Sequence, residues 1–259
     1  MIPGGHIRSR RQAAIVPAAV RGRWREKLRL RDRGNSCSCL TAKSASSLDI
    51  GMPATESKTS PQAIIDTAER LFGDHGVLGV SIRQIGQEAK MANNSAINYH
   101  FGDRAGLVRA IWAHRLPVLD QMRTVLLQDL EQQGMTQDRH GVLRALMLPT
   151  YLYVDEDGVH RYAAFFRSVM RWREGRPLRA QEMHASPASE RALGLVQALA
   201  PDLPHQLMIE RLVYASGVFH DMIIDRDHAI AEDHEVAPED AFLHEAIDMM
   251  AAMIFRPAP

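Results

Sequence analysis

The chain has 259 residues, 46% of them hydrophobic, enough for one large domain or two modest ones with a real core. No run of about 18 apolar residues occurs, so no transmembrane helix is expected. The formal charge is zero but unevenly spread: residues 1–51 hold eleven Lys/Arg against three Asp/Glu, and residues 52–259 hold twenty against 28. Cys37 and Cys39, the two cysteines, both lie in the basic segment. That excludes a disulfide framework from the rest of the chain and fits a reducing, cytoplasmic setting.

Residues 1–51 are rich in Arg, Ser, Ala and Gly and show no sustained helical or strand period. Pro17 interrupts the one short apolar stretch, Ala13 to Val20, and further basic residues follow it, which argues against an export signal. Three readings stay open: a disordered basic arm attracted to phosphates, a degenerate targeting segment, or sequence upstream of a start at Met52. The polar lead from Met52 to Ser60 favours the last.

A first helix is expected from Ser60-Pro61, since Ser is a good N-cap and Pro suits the first helical position. Ile64, Ile65, Ala68, Leu71 and Phe72 recur at helical spacing, and Gly76 is the candidate C-cap. Ser81 and Gln84 form a capping box for a short second helix with Ile82, Ile85 and Ala89 on one face. Lys90 to Asn94 reads as a turn, because paired Asn tolerates turn geometry. A third short helix, capped by Asn94 or Ser95, follows through Ala96, Ile97, Tyr99 and Phe101 and ends at Gly102-Asp103.

Two short helices joined by a tight turn cannot be stable alone, so their worth lies in what they present. Asn93, Asn94, Ser95, Asn98, Tyr99 and His100 are small or planar hydrogen-bonding groups. Asn pairs with adenine in the major groove, and hydroxyls reach phosphates. Ser81 and Arg83 at the start of the second helix and Arg104 at the start of the fourth complete the DNA-contact candidates.

The stretch from Ser60 to Leu107 resembles the DNA-binding domain of the TetR family of regulators. The resemblance is carried by Ala68-x-x-Leu71-Phe72, Gly76, Val80-Ser81-Ile82-x-x-Ile85 and Glu88-Ala89. It continues through Ala96-Ile97-Asn98-Tyr99-His100-Phe101-Gly102-Asp103-Arg104 and Leu107. It implies that Tyr99 and His100 contact phosphates and that Arg104, where the family commonly has Lys, adds its charge to a helix N-terminus against the DNA backbone. It also implies a ligand-sensing body, pairing of the last two helices in a homodimer, and repression of a palindromic operator. Two departures stand out. The turn lacks the family's usual Gly after Ala89 and is one residue longer, and Asn98 stands where Tyr is frequent.

Behind this head a long helix is expected from about Asp103 toward Gln133, with Pro117 either kinking or ending it. Further helices are expected at about 139–150, 158–175, 187–200, 204–229 and 238–255. The resulting fold class is all-α: a three-helix helix-turn-helix head plus a C-terminal helical bundle, about nine helices. The expected organisation is a basic segment over 1–51, a DNA-binding domain over 52–104 and a ligand-binding and dimerisation domain over 105–259. Met122, Met147, Tyr151, Phe165, Phe166 and Met170 are candidate pocket residues for an unknown small effector, although such side chains are more often plain core. Arg167, Arg171, Arg173 and Arg176 repeat beside them, as a solvated face or as partners for an acid. Apolar stripes mark the last two helices: Leu207, Leu212, Val218, Phe219 and Met222 on one, and Phe242, Leu243, Ala246, Ile247, Met250 and Ile254 on the other. They serve a dimer interface or a monomeric core.

Competing functions are few. The tract His220-Asp221, Asp225, Asp227-His228, Glu232-Asp233-His234 and His244 offers a metal-dependent helical enzyme as the alternative. No HExxH, Cys pair, nucleophile elbow or glycine-rich phosphate loop supports it, so no metal, cofactor or catalytic residue is expected. A constitutive DNA binder whose body only dimerises is the third reading.

Overall fold

The computed structural model describes residues 61–91, 95–155, 157–182 and 186–257, with backbone alone at 95, 96 and 98. The basic segment 1–51 and its three readings lie outside these residues. The first described helix is α1 (Pro61–His75), with Pro61 at its first position and Ile64, Ala68, Leu71 and Phe72 buried along one face. Gly76 ends it with φ of +80°, a conformation that a residue with a Cβ adopts only under strain. Then come α2 (Ile82–Glu88), α3 (Ser95–Phe101) and α4 (Arg104–Gln132).

Pro117 does not end α4, which runs through it for 29 residues, about 43 Å at 1.5 Å per residue. The carbonyl that loses its partner is that of Ala113. Both Ala113 and Pro117 are exposed, so water can serve that oxygen.

The body continues with α5 (Arg139–Leu152), α6 (Arg161–Arg171), α7 (Gly175–Gln181), α8 (Pro187–Ala198), α9 (His205–Ala231) and α10 (Glu239–Ile254). Ten helices are thus found among the described residues instead of nine, with no strand. The extra one is α7, which lies past the helix expected over 158–175; that helix is α6 and ends at Arg171. Trp172 leaves helical geometry (ψ 136°) and buries its ring, and the chain restarts at Gly175. A Cβ there would lie 1.8 Å from the Val169 carbonyl oxygen, so only Gly fits the turn.

Two cores result. One joins Ile64, Leu71 and Phe72 of α1 to Trp112 of α4, Tyr162 and Phe165 of α6 and Leu178 of α7. The other fills the space among the end of α4, α5, α8, α9 and α10. From residue 61 on, the chain is one compact unit, and the head has no core of its own. The closest approach is at Gly73 of α1, where a Cβ would come within 3.1 Å of the Ala164 Cβ and 3.2 Å of the Phe165 amide nitrogen. The Val77 amide, just past α1, donates to Ser168 Oγ at 3.0 Å.

Much of the apolar stripe on the last two helices is spent inside the monomer. Leu212, Phe219, Leu243, Ala246, Ile247, Met250 and Ile254 are buried, whereas Leu207, Val218, Met222 and Phe242 are only half-buried. His220 is also buried, with Nδ1 2.5 Å from the Ser216 carbonyl oxygen and its ring 4.9 Å from that of Phe166. Burial pushes its pKa down to about 4, against the pull of the Ser216 carbonyl.

Two outcomes follow for stability. Gly73→Val should cost about 1–3 kcal/mol in urea unfolding, because α1 and α6 must part to admit the side chain. The His220 effect has a definite sign: an unfolded His takes a proton near pH 6.5, the folded one only near pH 4, so stability falls as pH drops through that window. Between pH 7 and pH 5 the loss from this group is about 2 kcal/mol. His220→Gln should flatten that part of the stability profile, and an unchanged slope would contradict it.

Candidate nucleic-acid interface

The second helix starts as its sequence requires. Ser81 sits in extended backbone and its Oγ accepts the Gln84 amide at 3.1 Å. Ile85 and Ala89 are buried against α1, and Arg83 is exposed. The helix ends in a Schellman motif. The Lys90 amide donates to Gln87 O at 3.1 Å and the Met91 amide to Gly86 O at 2.9 Å. Lys90, where Gly is usual in the family resembled, therefore takes the left-handed conformation with φ of +55°.

Beyond the turn, α3 is anchored by Ile97, which is 1% exposed. Tyr99, by contrast, is 87% exposed, and His100 stands exposed beside it with ring centroids 5.3 Å apart. A large aromatic so exposed gains nothing from the core, so its place there points to a partner. Asn93 and Asn94 lie outside the described residues. Ser95 and Asn98 fall on α3 without described side chains.

Arg104 stands at the first position of α4. Its Nη2 donates to the Val80 carbonyl at 2.9 Å, tying the start of α4 to the loop before α2. The side chain is half-buried, and this bond holds the starts of α2 and α4 together. Asp103 caps α4 through the Gly106 amide at 2.8 Å. Gly102 makes the preceding turn with φ of +71°.

Two ion-pair clusters that the sequence reading missed brace this head. Arg115 of α4 donates to Glu69 (Nε 2.9 Å, Nη2 2.5 Å) and to Asp66 (2.6 Å), both on α1, and its Cζ lies 5.6 Å from the centre of the Tyr153 ring. Glu69 is 3% exposed, and burial pushes its carboxyl up against the pull of Arg115. Arg70 joins Glu88 of α2 and, at 3.6 Å, Asp74. The signal available in the sequence was Glu69 itself, an acid on the apolar face of α1 that demands a buried cation.

Further back, four of the six expected pocket residues are divided between the two cores. Met147 and Tyr151 belong to the core around α5, and Phe165 belongs to the core shared with the head. Phe166 packs on the edge of the shared core, Met170 is half-buried and Met122 is buried on α4. An open groove of about 840 Å³ lies instead between Ile82, Gly102, Asp103 and Arg104 of the head and Trp172, Arg173 and Leu178 of the body. A smaller cavity of about 60 Å³ lies beside His160 and Asp227.

The His/acid tract is divided among separate pairs. Asp221 takes a two-pronged bond from Arg167, at 2.7 Å to each oxygen. Asp227 holds His160 through Nδ1 at 2.8 Å and through its amide at 2.9 Å. No three His, Cys, Asp or Glu side chains among the described residues converge on a point that could hold a metal. The helical-enzyme reading has no shared site there.

Two short helices, the first capped by Ser81, and a braced supporting helix define a helix-turn-helix protein of the DNA-binding kind. Residues 64–111 match the model of the bacterial regulatory proteins, tetR family, so this stretch is a DNA-binding head of that family's kind. In fold it is similar to a protein from Shewanella sp. PV-4 assigned to the tetR family of transcription regulators, with TM-score 0.50 and 18% identity over 73% of this chain and 94% of that one. A second tetR-assigned structure, from Vibrio parahaemolyticus, aligns with TM-score 0.42 and 16% identity over 76% of this chain and 99% of that one. No curated protein matches in sequence. No helix among the described residues is long and apolar enough to cross a membrane.

The left-handed Lys90 gives a direct test of the turn. Lys90→Gly should stabilise the protein by about 0.5–1 kcal/mol, since relief of the Cβ clash outweighs the extra freedom of Gly in the unfolded chain. Denaturant midpoints of the two proteins measure it.

Proposed function

We propose that the protein is a ligand-responsive repressor that binds a palindromic duplex operator as a homodimer. The observation that supports this best is the α3 surface, where Tyr99 and His100 stand in solvent over the buried anchor Ile97. Tyr99 and His100 reach phosphates on either side of the groove, as do Ser81 and Arg83 at the start of α2. Asn93, Asn94, Ser95 and Asn98 supply the base contacts. Arg104 serves DNA chiefly through its bond to Val80, which sets the spacing of α2 and α4.

Residues 52–115 carry seven Lys/Arg and six Asp/Glu, so the head's field is weak and fitted geometry supplies much of the affinity. Dimerisation through α9 and α10 is favoured by what the monomer leaves uncovered there. Tyr214 is 60% exposed, Ile230 49% and Met249 40%. A two-fold axis along those helices suits two half-sites one DNA turn apart. The effector acts in the body and changes DNA affinity only to the extent that it prefers one spacing of the two heads.

Selection of random duplexes at fixed salt is the test, and recovery of a palindrome is the expected result. On the selected site, Tyr99→Ala should weaken binding about tenfold on all sequences, the size of one lost phosphate hydrogen bond. Asn98→Ala should instead relax the preference at one base position by about 1–3 kcal/mol. A uniform loss for Asn98→Ala removes its base-reading role, and no enrichment of any sequence removes the operator-binding reading.

A further inference from the structure

The interior where α4, α6, α7 and α8 meet holds more positive charge than it neutralises. Arg123 of α4 is 5% exposed. Its Nε donates to the Leu146 carbonyl at 3.0 Å, but its Nη1 is buried without a hydrogen-bond partner. Among the described residues the carboxylate beside it is Asp120, 3.5 Å from Nη1, and both Asp120 oxygens already accept the Ala188 and Ser189 amides at 3.2 Å. Arg179 of α7 lies with its Cζ 5.9 Å from the centre of the Trp112 ring, and its Nη1 is likewise buried without a partner.

Two more groups in this region are unsatisfied: the Trp112 Nε1–H and the Ser186 Oγ, both on fully buried residues. Every one of the four can donate a hydrogen bond. Burial pulls the Arg123 guanidinium down and Asp120 opposes that, while the like charge of Arg179 adds to it. Both arginines also act on the fully buried Tyr162 phenol, which desolvation lifts to about 12. Folded proteins rarely leave buried donors unmade, and unsatisfied cations are the costliest.

We propose that Arg123 and Arg179, with Trp112 Nε1 and Ser186 Oγ, form the receptor for an organic carboxylate whose apolar remainder packs on the aromatic cluster of Trp112, Tyr162 and Phe165. The proposal rests on the ligand-responsive reading above and names the chemistry of its effector. The carboxylate supplies the charge that Asp120, already held by α8, does not. Its seat on α4 and α7 also joins it to the DNA side. The same two helices line the open groove through Arg109 and Leu178, opposite Gly102 and Arg104 of the head. A ligand that draws Arg179 toward Arg123 therefore moves α7 against the helix that carries the head.

The test uses the full chain at constant ionic strength, with benzoate and octanoate as probes and benzamide and octanamide as neutral counterparts, by thermal shift and calorimetry. The carboxylates should raise the melting temperature and the amides should not. Arg179→Gln should weaken carboxylate binding at least tenfold while keeping the helical circular-dichroism spectrum. Arg179→Met, with no unpaired charge to bury, should melt higher than the natural protein in the absence of ligand. Equal stabilisation by acid and amide, full affinity in Arg179→Gln, or no effect of either carboxylate overturns the site. Operator affinity separates the two readings. Carboxylate binding that leaves DNA affinity unchanged keeps the site and ends the ligand-responsive reading. Release by neutral compounds alone, without carboxylate binding, does the reverse.

Discussion

Helix α1 lies on α6 at a separation that Gly73 makes possible, and the rest of the molecule is arranged around that contact. Through it Leu71, Phe72 and Ile64 share one core with Phe165, Tyr162 and Trp112. Each such side chain contributes roughly 1.5–3 kcal/mol on burial. The three short head helices could not supply this themselves, since α2 and α3 have seven residues each. The Arg115 guanidinium adds direction to the apolar contact. It binds Glu69 and Asp66 on α1 from α4 and meets Tyr153 at the end of α5. Because Glu69 is buried, loss of Arg115 would strand a carboxylate, a change usually worth about 3–5 kcal/mol.

A head welded to its body in this way has consequences for signalling. It does not swing as a separate domain on a linker. Its position is set by α1 on α6 and by α4, which carries Arg104 at the head end, Arg115 in the middle and Arg123 deep in the body. A shift of α4 or α6 is thus a shift of α3 and of Tyr99. Charge placement follows the same beam. Arg115 has its bonds made within the fold, whereas Arg104 Nε and Arg123 Nη1 are both buried without a hydrogen-bond partner.

What was legible in the sequence was whatever neighbours along the chain decide. The Ser81 cap, the Gly76 and Gly102 turns, the apolar faces of α1 and α2 and the path of the helix-turn-helix follow from contacts within about four residues, and the structure has them where the sequence puts them. The start of the turn after Ala89 is local too, with Lys90 in the left-handed conformation. The tertiary structure decided the rest. Trp172 gave up helical geometry to bury its ring, so α6 stops at Arg171 and α7 starts afresh at Gly175. Arg104 found Val80, 24 residues away, and Phe165 joined the head's core while Met147 joined the other. The apolar stripe of α9 and α10 was mostly consumed inside the monomer, leaving Tyr214, Ile230 and Met249 outside. Periodicity states that a face is apolar or a charge is present. It carries no information about which distant element will cover that face or meet that charge, because burial is not directional and the partner is chosen only when the helices pack.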